Sequence, residues 1–262
     1  MLFGAQPALV KRGLTVLEPD EVKVSSPVLR GRGGGNIALL PDPQNRFYGR
    51  LKTKGYQMKI SIVIFDDFTD IDLFLMWDLF NRVRLPEWEV RIIGEKSHHI
   101  SATGLITATH GSIEEANQSD VVLFVSGRGT RTKMQDKPWL SRFNLNPERQ
   151  MIASVCSGAL LLAALGLLEG KTATTYPTTK QLLEGFGIRV EEKPFIEQGN
   201  IATSGGCLAA QYVVGWVIEK KADKGWKELV LKSIQPVGEG LRFSDASELV
   251  KLYAPSPKAN AV

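Results

Sequence analysis

Four apolar runs, at residues 60–65, 90–93, 121–125 and 152–155, constrain this chain more than any other feature. They read ISIVIF, VRII, VVLFV and IASV. Apolar, β-branched runs without strict polar alternation belong to strands covered on both faces. Helix-length segments separate or follow them, around residues 71–83, 133–143, 157–168 and 178–186. Strands alternating with helices imply an α/β fold with a parallel sheet covered on both sides. Two further stretches, ISATGLITATHGS and FIEQGNIATSGG, read as β-hairpins turning at Gly104 and at Gly199-Asn200. A last core helix is expected over 208–220. The tail beyond it is amphipathic in WKELVLKSI and ASELVKLY and is expected to pack on the domain as helix.

Charge divides the chain. The formal net charge is +4, but nine basic against four acidic side chains fall within residues 1–57, and the rest is close to neutral. Residues 1–57, with RGRGGGN and scattered prolines, read as a basic, irregular extension. Residues 58–220 form the domain and 221–262 its helical tail. The body from residue 58 onward lacks the basic footprint of a nucleic-acid binder. No run of about 18 apolar residues suggests a membrane span. Two cysteines 51 residues apart give neither a disulfide framework nor a zinc pattern. A reducing, cytoplasmic setting is the expectation. No metal, haem or phosphate-loop motif is visible, so no cofactor is expected.

The stretch MIASVCSGALLLAALGLLEG places Cys156 where a central strand ends and a helix begins. Ligands of doubly wound sheets bind at the carboxyl ends of the strands. Unpaired amides at a helix start favour a thiolate and point at an oxyanion formed beside it. Cys156 is therefore a candidate nucleophile, set against the plainer reading of a packed small residue. The loop VSGRGT ends another strand, and the amides of Gly127 and Arg128 are expected to complete an anion pocket with Ser157. In IFDDFTDIDLF, Asp66, Asp67, Asp70 and Asp72 crowd the end of the first strand. A carboxyl buried there would hold its proton and act as a general acid. Helix capping and first-turn charge account for Asp66, Asp67 and Asp70. Tyr176 is either a pocket wall or a half-buried aromatic. Cys207 reads as a packed residue at the cleft edge rather than a second reactive thiol. His98 and His99 read as solvated hairpin residues, a poor metal pair because neighbours on a strand face opposite ways.

Taken together, IVIFDDFTDIDLF, VVLFVSGRG, ASVCSGALLLAALGLLEGKTATTYPTTKQL and GNIATSGG resemble the ThiJ/PfpI family of the class I glutamine amidotransferase-like superfamily, over about residues 58–220. VCSGALLLAALGLLEGKTATT is most similar to the family's isonitrile hydratase branch. The resemblance implies a three-layer α/β/α sandwich, a flavodoxin-like, mostly parallel sheet, and a nucleophile elbow at Cys156. It implies a carboxyl group at Asp72 directed at the sulfur, a small-molecule substrate and a homodimer. Three departures stand out. Ser126-Gly127-Arg128 replaces a proline-glycine-glycine loop, Leu73-Phe74-Leu75-Met76 replaces Leu-Thr-Gly-Pro, and Tyr176 stands where many relatives carry histidine. All three histidines, His98, His99 and His110, lie in or beside the first hairpin, so a Cys–His dyad has no support. The activity implied is water addition to a small C–N or carbonyl electrophile by Cys156, with Asp72 shuttling protons and Ser157, Gly127 and Arg128 holding substrate or water. Two other readings are a thiol redox sensor or stress-protective protein oxidised at Cys156, and the ligand-sensing domain of a regulator. The last expects a DNA-binding module, for which the residues after Lys220 are too few.

Overall fold

A computed structural model describes residues 57–235, and the basic segment 1–56 and residues 236–262, with ASELVKLY, lie outside the described residues. β1 (Met58–Val63) is MKISIV, whose last four residues are buried, as its apolar run requires. It lies between two parallel neighbours, β2 (Trp88–Gly94) and β6 (Val121–Phe124). β7 (Met151–Val155) pairs parallel with β6 and is buried throughout. The hairpin at Gly104 forms as β3 (His98–Ile100) and β4 (Ile106–Ala108), with Gly104 at φ 94°. β5 (Gly111–Ser112) adds to β2 at the sheet edge, and a short parallel pair joins β8 (Thr172–Ala173) to β9 (Arg189–Val190).

The second hairpin does more than expected. β10 (Phe195–Gln198) and β11 (Ile201–Ser204) pair antiparallel around Gly199, at φ 67°. β11 also joins the main sheet parallel to β7, with Ile201 opposite Ile152 and Ser204 opposite Val155. Among the described residues the main sheet has seven strands in the order β10-β11-β7-β6-β1-β2-β5, and only β10 runs against the rest.

Helices cover both faces, completing the α/β/α sandwich. On one side lie α1 (Asp70–Asn81), α6 (Ala210–Lys221) and α7 (Lys224–Lys232), which pack together. On the other lie α2 (Thr130–Lys133), α4 (Ala159–Ala164) and α5 (Lys180–Glu184). The single helix expected over 133–143 is broken. After α2 the chain turns and restarts as α3 (Lys137–Leu140), where Asp136 caps the Trp139 amide at 3.0 Å and Pro138 occupies the first turn. Proline has no amide to continue the earlier helix but suits a new start. The helix after Cys156 is also shorter than its apolar run, because Gly166 turns the chain at φ 73°. In the tail, α7 packs on α6 through the buried Lys227, whose ammonium meets Glu219 at 2.9 Å. No helix among the described residues is long and apolar enough to cross a membrane.

Candidate active site

The sheet order puts the ends of β1, β6, β7 and β11 side by side, and the candidate residues follow those ends. Cys156 comes directly after β7 and adopts φ 54°, the left-handed region that costs a non-glycine residue about 1–3 kcal/mol. A tight 3-10 turn, Cys156–Gly158, then leads into α4. Gly158 is required there, because a Cβ would lie 2.7 Å from the Phe124 carbonyl and 2.9 Å from that of Val125. The Thr175 hydroxyl donates to the Cys156 carbonyl at 2.9 Å and fixes the strained residue from behind. Cys156 keeps 8% of its surface, so the corner is largely enclosed rather than exposed at a mouth.

Asp72 lies in the first turn of α1 and is fully buried. Its Oδ2 accepts the Ser126 amide at 2.9 Å, while Oδ1 has no hydrogen-bond partner. Burial pushes the Asp72 carboxyl up, and hydrogen bonds from Ser126 and Cys207 only partly oppose this. The Cys156 thiol shifts down. A hydrogen bond from Cys207 is the leading cause, the Ser126 side chain and the Ser157 amide assist, and burial and the nearby Asp72 charge resist. The two groups are therefore coupled, each resisting ionisation of the other, since two adjacent negative charges repel.

Two participants were not evident from sequence. Ser126, in place of a proline, is buried and supplies both an amide and a hydroxyl to the cluster. Cys207 opens the 3-10 turn Cys207–Ala209 and is half-buried. It is no mere packing residue, because its side chain interacts with both Cys156 and Asp72, and these contacts together with burial push its own thiol strongly up.

The remaining candidates divide. The Ser157 amide reaches the Cys156 sulfur, but its hydroxyl is used within the framework, touching Gly127 and Thr130. The Gly127 amide donates to that hydroxyl at 3.2 Å, not into an open pocket. The Arg128 side chain is 73% exposed and turns to Asp67 and the Ala102 carbonyl, away from the thiol cluster. Tyr176 is 46% exposed beside a short turn, Pro177–Thr179. A cavity of about 190 Å³ opens next to the elbow, lined by Thr174, Thr175, Lys180, Glu191, Lys193 and Gly205 among others.

The acidic run also sorts differently from a set of helix caps. Thr69 is the capping position and makes no side-chain cap bond. Asp67 takes the left-handed φ of 60°. Asp66 reaches back to the buried His99 at 2.8 Å, so His99 is not solvated. Burial raises the Asp66 carboxyl, but hydrogen bonds from Lys96, His99 and the Ile100 amide overcome this and bring it to about 2. This network anchors the first hairpin to the loop that delivers Asp72. Among the described residues no cluster of three or more histidine, cysteine, aspartate or glutamate side chains could hold a metal ion.

The loop carrying Ser126 is closely fitted to the loop before α1. Thr69 donates to the Ser126 carbonyl at 2.7 Å, and a Cβ at Gly127, whose φ is 150°, would lie 2.1 Å from the Asp67 carbonyl. Gly127→Ala is therefore expected to destabilise the protein by about 1–3 kcal/mol or more. It should also pull Ser126 from Asp72, seen as a lower denaturant midpoint together with a higher pH midpoint for Cys156 alkylation.

Comparison with known proteins agrees with this architecture. A family model described as the DJ-1/PfpI family matches residues 58–220. The chain is 29% identical over 154 residues to isonitrile hydratase of Pseudomonas putida, covering 58% of this chain and 67% of that one. It is 26% identical over 157 residues to a deglycase of Pyrococcus abyssi, covering 56% and 89% respectively. The solved structure of a ThiJ/PfpI family protein from Pseudomonas syringae aligns with a TM-score of 0.62 at 22% identity, covering 75% of this chain and 87% of that one. With a match spanning more than half its length, and with the sheet, elbow and helices in place, this chain belongs to the DJ-1/PfpI family.

Proposed function

We propose that the protein is a cysteine-dependent hydratase that adds water to a small isonitrile. Cys156 is its nucleophile and Asp72 its proton shuttle. The observation that carries this reading is a cysteine in the left-handed region at a strand-to-helix corner, its thiol shifted down, beside a fully buried carboxyl shifted up. The similarity to isonitrile hydratase supports the substrate class.

The chemistry balances with these two groups. The Cys156 thiolate attacks the terminal carbon of R–N≡C, and the Asp72 proton passes to that carbon, giving a thioimidate. Ionised Asp72 then accepts a proton from water as the oxygen adds to the same carbon, and returns it to nitrogen. The carbon–sulfur bond breaks, sulfur leaves as thiolate, and the hydroxyl proton returns to Asp72 as the N-substituted formamide departs. Each carboxylate–acid interchange uses the same buried group, which is the role a raised pKa suits. The Ser157 amide steadies negative charge on sulfur at the start and end of the cycle.

The test is direct. Purified protein is incubated with an alkyl isonitrile and, separately, with methylglyoxal, and products are followed by NMR. Catalytic formamide release supports the reading. Turnover of the dicarbonyl alone would transfer the same nucleophile to a carbonyl substrate and overturn the isonitrile assignment. With two free thiols, a reducing compartment such as the cytoplasm suits the protein.

Self-association belongs to the same proposal. Ile100 and Ile106 are register partners on the first hairpin, exposed together and next to exposed Leu105. Such a patch suits a second copy of the chain. Ile106→Asp is expected to shift the sedimentation profile from dimer to monomer. A monomeric wild-type protein would remove this element.

A further inference from the structure

Cys207 reaches the elbow through strand pairing alone. With Ser204 opposite Val155, β11 and β7 leave the sheet at the same edge, and each is followed within a few residues by a cysteine. The two thiols are free, their side chains interact, and Asp72 contacts the Cys207 side chain while its charge acts on Cys156; the helix that carries Asp72 packs against the turn that Cys207 opens. Gly205 and Gly206 precede Cys207. Cys156 retains a small exposed surface and Cys207 is half-buried, which admits a small reactant.

We propose that this chain is also a dithiol hydroperoxide reductase, in which Cys156 attacks the peroxide and Cys207 closes a disulfide with it. The oxidant is a hydroperoxide, ROOH, and an external dithiol resets the pair. The inference does not depend on the hydratase reading, since it needs only the nucleophile and its neighbours.

In the first step the Cys156 thiolate attacks the terminal peroxide oxygen and the O–O bond breaks. The leaving alkoxide takes the Asp72 proton and departs as ROH, leaving a sulfenic acid on Cys156 and a carboxylate at Asp72. In the second step Asp72 takes the Cys207 proton, and the new thiolate attacks the Cys156 sulfur. The S–O bond breaks, and hydroxide reclaims the proton from Asp72 to leave as water. Two thiol sulfurs are oxidised to a disulfide and one hydroperoxide is reduced. The steps also follow in order electrostatically. A hydrogen bond with Cys156 is the leading influence that keeps Cys207 protonated, and it weakens once that sulfur carries oxygen. Cys207 is then freed to ionise and attack, before a second peroxide can drive Cys156 to the sulfinic state.

The experiment compares wild type, Cys207→Ser, Cys207→Ala and Cys156→Ser, each treated with hydrogen peroxide or cumene hydroperoxide and then mapped by peptide mass spectrometry. Wild type is expected to give a Cys156–Cys207 cross-linked peptide and, with dithiothreitol present, to consume hydroperoxide over many turnovers. Both Cys207 variants are expected to accumulate oxygen on Cys156 and lose sustained turnover, and Cys156→Ser to consume none. Oxidation of wild type straight to sulfinic acid without a cross-link would overturn the proposal. So would sustained turnover in the Cys207 variants equal to wild type. Isonitrile turnover is read separately, so failure of one activity leaves the other independently judged.

Discussion

Replacing Cys156 with alanine is expected to reduce formamide production by on the order of 10⁵-fold or more, the scale associated with loss of a covalent nucleophile. The fold should survive. Cys156 is largely enclosed but small, and alanine removes a single sulfur from a wall that also includes Ser126 and Cys207. Both cysteine and alanine bear the same left-handed strain at φ 54°, so the backbone term cancels. A denaturant midpoint near wild type with no product is therefore the expected pair of results. Cys156→Ser sharpens the comparison, because it preserves size and hydrogen bonding but cannot ionise at neutral pH. An active alanine variant would show that water attacks the substrate without a covalent step.

Asp72→Asn carries the second large effect, a fall in turnover of about 10²–10⁴-fold, as for loss of a general acid–base. Its diagnostic value lies in the direction of a second change. Ionised Asp72 is among the influences that raise the Cys156 pKa. Removing that charge should let the thiol ionise at lower pH, so alkylation by iodoacetamide should reach half its maximal rate at lower pH than in wild type. Turnover falls while labelling in the acid range rises. A purely structural role for Asp72 would slow both together, and an upward shift of the labelling midpoint would remove the charge coupling. The pH–rate profile supplies a further sign. Because burial raises the Asp72 pKa, the acid persists above the ordinary carboxylate range and is lost as pH rises through its folded value. The alkaline fall in rate assigned to that loss should be absent from the residual activity of Asp72→Asn.

Much of this site can be read from sequence because its determinants are local. The strand around residues 60–63, VVLF at 121–124 and IASV at 152–155 announce buried parallel strands, and the small residues after Val155 announce a tight corner. What escapes is long-range pairing. IATS looks like the second half of a hairpin, and it is, but nothing local indicates its other partner, β7. Without that pairing Cys207 reads as a packed residue at the cleft edge, with nothing to direct its sulfur at Cys156, 51 positions away. Ser126 is missed for another reason. Compared with a proline it looks like a loss, whereas its free amide and hydroxyl are what the neighbouring carboxyl and thiol use. Asp66 and His99 are likewise 33 positions apart and meet only because the first hairpin folds back over the end of β1.

The two sulfurs thus owe their meeting to a turn that touches neither of them. The length of the turn at Gly199-Asn200 sets the register of β11 against β10, so gaining or losing one residue there would change how β11 enters the sheet. A displaced β11 would carry Cys207 away from Cys156. Lineages that tolerate length changes in that remote loop should therefore drift towards single-thiol chemistry, whereas those that keep its length retain the option of a two-sulfur partnership.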